Sequence, residues 1–268
     1  MFTVLICALL LTLLASAQVH PAAYSNGSLK GSYSILTNTW LSSQSDNPCA
    51  SLSIANFDGV GTFTVAIYQN CAGTVNRYSG SGTYSVAKDG TGSMNIAPSG
   101  IRGSATEAIV LDSRGKSFQF VQTSCTYCGS NTDVTSGTAV AMGASSFSNA
   151  SLKGNYEWMK TKWTNAQDSG VDVTLSVMTF DGVGNVKGSG TNVYNGSVQN
   201  FMFRGTYSVD SGGDGSITVN DQNGNTVIFV FVVNSASSTG LGAKGLQLVN
   251  VPESPGLNDV YSGTATKQ

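Results

Sequence analysis

Ser25-Asn-Gly-Ser-Leu-Lys-Gly-Ser-Tyr33 comes back 123 residues later as Ser148-Asn-Ala-Ser-Leu-Lys-Gly-Asn-Tyr156, and Trp40 comes back as Trp163. At the same spacing Phe57-Asp-Gly-Val-Gly61 returns as Phe180 to Gly184, and Gly82-Thr-Tyr-Ser-Val86 returns as Gly205 to Val209. The register holds to Ser93 and Ser216, then drifts: Phe118 to Gln122 matches Leu246 to Asn250, and Ser136 to Ala139 matches Ser262 to Ala265. Self-similarity at a fixed period marks a duplicated structural unit. Each copy, at about 120 residues, is long enough to bury a core of its own. The chain divides into an apolar leader over 1–17, a first repeat over 25–141 and a second over 148–268, joined near Met142 to Phe147.

Between turn signals the segments are short, rich in Val, Ile, Thr, Tyr and Phe, and alternate in polarity, the period of a half-buried strand. Asp58-Gly59, Asp89-Gly90, Arg114-Gly115, Asp181-Gly182, Asp214-Gly215 and Asn223-Gly224 sit between such runs. Most are dipeptides that admit the positive φ of a tight hairpin. Strands are expected near 31–40, 50–57, 62–69, 77–87, 91–97, 105–112, 117–123 and 134–141, with the same number in the second copy. Eight meandering strands predict an all-β fold of two tandem eight-stranded up-and-down barrels, which remove exposed sheet edges by closing. The rival is a pair of two-sheet sandwiches. Val227 to Val233 is apolar on both faces, so its outer face is expected to pack on the other barrel or on another chain.

The Gly-x-Tyr that opens each first strand, Gly31-Ser-Tyr33 and Gly154-Asn-Tyr156, resembles the Gly-x-Trp opening of lipocalins and avidins, with Tyr in place of Trp. The wider pattern is similar to uncharacterised secreted bacterial proteins carrying one or two such repeats. It runs Ser-Leu-Lys-Gly-x-Tyr, then Phe-Asp-Gly-x-Gly, then Gly-Thr-Tyr-Ser-Val. The first resemblance implies barrels; the second implies export and brings no activity with it.

Residues 4–17 form an apolar run ending in Ala15-Ser16-Ala17, the small-x-small pattern expected before a cleavage at Gln18. It is shorter than the roughly 20 residues a membrane-spanning helix needs. A secreted or extracytoplasmic protein is expected, without a membrane span. Cys7 lies in the leader, leaving Cys49, Cys71, Cys125 and Cys128, all in the first repeat. In an exported chain these read as two disulfides. A hairpin turning at Gly59-Val60 places Cys49 within one residue of opposite Cys71, the preferred bridge; Asp172 and Tyr194 stand at those places in the second copy. Cys125-Thr-Tyr-Cys128 reads as a small disulfide loop rather than a redox motif, since no helix follows it.

Charged residues are 10% of the chain and the net charge is −2, so no basic footprint for nucleic acid exists. The one histidine is His20, near the start of the mature chain, which excludes Ser-His-Asp, Cys-His and His-ligated metal chemistry within either repeat. None of Glu107, Glu157 and Glu253 is mirrored by an acid in the other copy, which argues against a duplicated carboxylate pair. Asp210-Ser-Gly-Gly-Asp214 has the composition of a calcium loop, but a hairpin turn explains it, so no metal and no cofactor is expected. Asn26, Asn149 and Asn195 open Asn-x-Ser acceptor patterns that matter only in a eukaryotic host.

Tyr33, Ile35 and Thr37 share one face of the first strand, as do Tyr156, Trp158 and Lys160 in the second copy. If those faces point inward, Tyr33, Tyr156, Trp158 and Lys160 are the candidate ligand-binding residues, Trp158 with Lys160 suiting an apolar ligand with an anionic end. Trp40 and Trp163 end their strands, where an aromatic stacks on a sugar or plugs a barrel mouth. The expectation is a non-catalytic binder of a small apolar ligand. The alternative is an extracellular structural or glycan-adhering protein, with a barrel-type isomerase or cyclase as the outsider.

Overall fold

A computed structural model describes residues 23–40, 48–112, 114–127, 134–143, 146–163, 171–234, 244–252 and 259–268. The leader, His20, Cys128, Glu253 and the side chains of Trp40 and Trp163 lie outside the described residues. The first repeat consists of β1 (Lys30–Trp40), β2 (Cys49–Asp58), β3 (Thr62–Cys71), β4 (Thr74–Val86), β5 (Thr91–Pro98), β6 (Ala105–Leu111), β7 (Ser117–Cys125) and β8 (Val134–Ala141). The second consists of β9 (Lys153–Trp163), β10 (Val171–Asp181), β11 (Asn185–Tyr194), β12 (Ser197–Val209), β13 (Asp214–Asp221), β14 (Thr226–Asn234), β15 (Gly245–Val251) and β16 (Val260–Lys267). Each set pairs antiparallel in chain order and closes, β1 on β8 and β9 on β16, giving two eight-stranded barrels rather than sandwiches.

The residues that recur between the copies close one end of each barrel. A single 3-10 turn, Asn26–Ser28, lies beneath the first barrel, and Tyr84 reaches it: the phenol donates to the carbonyls of Asn26 (3.1 Å) and Leu29 (2.8 Å). Asn26 Oδ1 accepts from the Val86 amide at 2.8 Å, and its Nδ2 donates to the Val60 carbonyl at 3.0 Å. In the second barrel Tyr207 donates to Asn149 and Leu152 (3.0 Å each), and Asn149 bonds Val209 and Val183. Buried polar groups must find partners; here they find them by tying the lead-in turn to the fourth and twelfth strands.

The recurring Asp-Gly turns are equally structural. Asp58 Oδ1 accepts from the amides of Val60, Gly61 and Thr62 at 2.8–3.0 Å, while Oδ2 accepts from the Thr62 hydroxyl. Asp181 repeats this with Val183, Gly184 and Asn185. These bonds favour the ionised carboxylates and hold both well below the usual carboxylate range, the side-chain donors Thr62 and Asn185 contributing most. Asp210 and Asp214 close a turn between β12 and β13, where the Asp210 amide donates to the Asp214 carbonyl and Gly213 to Asp210.

Cys49 pairs directly opposite Cys71 in the β2–β3 ladder and is bonded to it. Asp172 faces Tyr194 at the same register in the second barrel. Cys125 is also a disulfide cysteine; its expected partner Cys128 lies outside the described residues. Among the described residues no helix is long and apolar enough to cross a membrane.

The barrels touch through their outer faces. Leu36 of β1 and Ala50 and Leu52 of β2 point out of the first barrel and join one apolar cluster with Val232 of β14 and Val249 of β15. Polar bonds pin this contact: Gln247 Nε2 donates to the Thr138 carbonyl (3.0 Å), Ser262 to Asn38 (2.8 Å), and buried Asn70 to Asn250 Oδ1 (2.8 Å). β2 is consequently buried on both faces over Ala50–Ser53.

Candidate functional site

The first barrel is closed at its β1 start and hollow above. Its floor is a stack of rings: Tyr33, Phe57, Phe63, Tyr84 and Phe118, with centroids 5.1–5.9 Å apart. Edge-to-face and offset contacts of this kind add to the area they bury. Above them lies a cavity of about 190 Å³. Its lower wall is apolar, from Ile35, Val65, Ile67, Met94, Ile96 and Phe120. Its upper wall is polar, from Thr37, Thr39, Ser51, Gln69, Gln122 and Thr135, with Tyr78 and Tyr127. The walls stay thin because Gly137 lets the Phe120 ring lie against β8; a Cβ there would come within 2.4 Å of that ring.

Among the described residues lining this space, one is charged, Glu107. Alternation along β6 puts Glu107 on the same face as Ala105, Ile109 and Leu111, whose neighbours on that face are buried. Opposite the step from Thr106 to Glu107, β7 carries an extra residue, Thr123, so that Thr106 faces Ser124 while Glu107 faces Gln122. Bulges of this kind bend a strand and re-aim side chains beside sites. Among the described residues no group donates a hydrogen bond to the Glu107 carboxyl. Burial alone pushes its pKa up from 4.5 to about 7. The neighbouring phenols are displaced upward as well, Tyr78 to about 12 by burial, and Tyr127 by burial and by the Glu107 charge. Among the described lining residues, Glu107 is therefore the group that changes charge between pH 5 and 9.

Tyr33 sits below this cavity, its hydroxyl donating to the Gly115 carbonyl at 2.7 Å, and it is absent from the cavity wall. Tyr156 occupies the corresponding place in the second barrel, edge-on to Phe180 at 5.3 Å. Trp158 and Lys160 do come together: Lys160 Nζ lies 5.7 Å from the Trp158 ring and 4.4 Å from that of Tyr261. Burial lowers the Lys160 ammonium from 10.5 to about 8, the charges of Asp172 and Asp259 opposing the shift. Lys162 pairs with Asp259 at 2.8 Å.

The two interiors differ for an identifiable reason. Pairing of β6 with β7 and of β14 with β15 aligns Glu107 with Phe229, and Ile35 corresponds to Trp158. Phe229 meets Trp158 edge-on at 5.0 Å, and Phe203 closes from the other side at 6.2 Å. Trp158 is 3% exposed, and its indole N–H has no hydrogen-bond partner among the described residues. Rings thus occupy in the second barrel the volume that the first leaves open around Glu107. No motif marks Glu107 in the sequence; the readable signal is an acid on the otherwise apolar face of a short strand.

No protein-family model matches the chain, and no curated protein matches it. Among solved structures, intact Ap-TbpB with its N and C lobes is similar over 92% of this chain and 77% of that chain, at 8% identity and a TM-score of 0.30. A putative AttH from Nitrosomonas europaea is similar over 89% of this chain and 92% of that chain, at 6% identity and a TM-score of 0.28. At this level the likeness carries no argument about function.

Proposed function

We propose that the chain is an exported, non-catalytic binding protein whose first barrel holds a small, largely apolar ligand with a basic end. The supporting observation is Glu107, whose carboxyl accepts no hydrogen bond from a described residue and which is the charged side chain among the described residues lining the cavity. An unpaired buried carboxylate is costly, and a cationic or strongly donating ligand group relieves that cost. The volume of about 190 Å³ suits a ligand of one ring and a short chain, since roughly 150 Å³ accommodates benzene. The apolar lower wall takes the ring and the polar upper wall surrounds the head. Export is supported by the apolar leader and by the disulfide cysteines Cys49, Cys71 and Cys125. A hollow interior favours this reading over an adhesive or structural role, which makes no use of one.

The test is calorimetric titration of the non-reduced protein at pH 8 with three probes of one shape: 2-phenylethylamine, 2-phenylethanol and 3-phenylpropionate. The amine is expected to bind at least tenfold tighter than the alcohol, a difference of about 1.4 kcal/mol, and the acid not to bind. Glu107→Gln should erase the amine's advantage while still binding the alcohol. Equal affinities for amine and acid, or an amine preference that survives Glu107→Gln, would refute the reading.

A further inference from the structure

The duplication makes an interface that is used once inside the chain and left open twice outside it. Inside, the outer face of β1–β2 in the first barrel, Leu36, Ala50, Leu52 and Ile54, is covered by the outer face of β14–β15 in the second, Val230, Val232, Gln247 and Val249. The repeat spacing maps Leu36, Ala50, Leu52 and Ile54 onto Met159, Val173, Leu175 and Val177 of β9–β10. These remain apolar, and they face solvent: Leu52 is 3% exposed, its counterpart Leu175 63%. Val193, Val198 and Met202 extend the exposed patch across β11 and β12, with Val173 paired to Val193 and Val193 to Val198. An apolar patch spread over four neighbouring strands is more than scattered surface hydrophobicity and marks an interaction site.

The covering face has its own uncovered counterpart. Val230, Val232, Gln247 and Val249 correspond through the strand pairing to Ala108, Val110, Gln119 and Val121 of β6–β7. Val249 is fully buried, whereas Val121 is 52% and Val110 57% exposed. The polar pin is preserved too. Gln247 donates to the Thr138 carbonyl across the internal contact; Gln119 and Thr264 are the corresponding residues, both exposed. Asn38 and Ser262, which bond at 2.8 Å inside, map onto Thr161 and Ser136, again an acceptor–donor pair. The Asn70–Asn250 bond has no such copy, because Val193 and Gln122 stand there and Gln122 lines the cavity.

We propose that the β9–β10 face of the second barrel docks a second copy of this chain through that copy's β6–β7 face, repeating between chains the contact that joins the two barrels within one. The occupant is specified by the molecule itself, since the same sheet face in the first barrel is seen with its cover in place. The two surfaces differ, so the contact is heterologous and passes from head to tail; such contacts close into rings or run on as filaments. This inference is independent of the ligand reading, for neither face contributes to the cavity.

The test is sedimentation velocity of the full mature chain from micromolar to near-millimolar concentration. The wild type is expected to grow in mass with concentration past the dimer. Leu175→Asp and Val121→Asp change residues already exposed in the monomer, so each should keep its far-UV spectrum and stay monomeric. An equimolar mixture of the two variants should stop at a dimer, because one intact face remains on each. A wild type that is monomeric throughout overturns the proposal. So does unchanged association in Val121→Asp, which would mean that the β9–β10 face pairs with itself. Monomers that adsorb through Leu175 to neutral lipid vesicles would assign the face to a membrane and overturn it as well.

Discussion

Replacing Glu107 by Gln should stabilise the empty protein, and only above a defined pH. The carboxyl ordinarily titrates near 4.5 and in the folded barrel near 7. A displacement of about 2.5 units at 1.36 kcal/mol each corresponds to about 3 kcal/mol, reduced to about 1–3 kcal/mol by water reaching the carboxyl through the cavity. Because the pKa is raised on folding, the unfolded chain releases this proton first. The folded state loses stability as pH rises from 4.5 to about 7, and the loss is complete above that. Glu107→Gln carries no charge at any pH, so it should match the wild type at pH 4 and exceed it by about 1–3 kcal/mol at pH 8.5 in urea unfolding. A direct measurement accompanies it. The chain has three glutamates, Glu107, Glu157 and Glu253, so selective ¹³C labelling of their carboxyls gives three signals. One should titrate near 7 and vanish in Glu107→Gln. A Glu107 signal titrating near 4.5, or a variant whose advantage does not change with pH, would refute the argument that burial sets this group's chemistry.

Removing the cross-strand bridge with Cys49→Ala and Cys71→Ala, which opens a loop of sequence separation 22, should cost the first barrel about 3 kcal/mol and leave the second barrel's transition in place; a two-wavelength thermal melt separates the two. Tyr84→Phe and Tyr207→Phe each lose a buried hydroxyl that donates to two carbonyls. Each should lower stability by about 1–3 kcal/mol, by similar amounts if the closed ends are equivalent. Lys160→Met should stabilise the second barrel by about 1–3 kcal/mol at pH 7, because the buried ammonium is penalised there. The gain should shrink as pH rises from about 8 toward 10.5, where the unfolded chain also becomes neutral.

Much of the architecture is legible before any coordinates. The alternation and the Asp-Gly turns place the eight strands of the first copy within three residues of those observed and give the right number in the second, and the hairpin at Gly59-Val60 brings Cys49 to Cys71. The recurring motifs invite a functional reading, yet Asn26, Asp58 and Tyr84 and their copies spend their polar groups on the closed end of each barrel. What duplication preserved is the seal. The open end is where the copies part, with Glu107 against Phe229 and Ile35 against Trp158.

The period of two assigns residues to opposite faces of a strand without saying which face is inside. In β2 and β10 the polar set turns inward: Ser51, Ser53, Thr174 and Ser176 point into the barrels, while Leu52, Ile54, Leu175 and Val177 point out. In the first barrel Leu52 is buried and Ile54 half-buried because the second barrel covers them; in the second barrel Leu175 and Val177 are exposed. The sequence by itself determined the duplication, the strands, their pairing and the Cys49–Cys71 bridge, because these depend on neighbours along the chain and across a hairpin. Only the tertiary structure decided which acid stands in the first barrel's cavity, which rings meet at the matching place in the second barrel and which apolar faces are covered. Those depend on closure and on barrel-against-barrel packing, where side chains more than a hundred residues apart compete for the same volume.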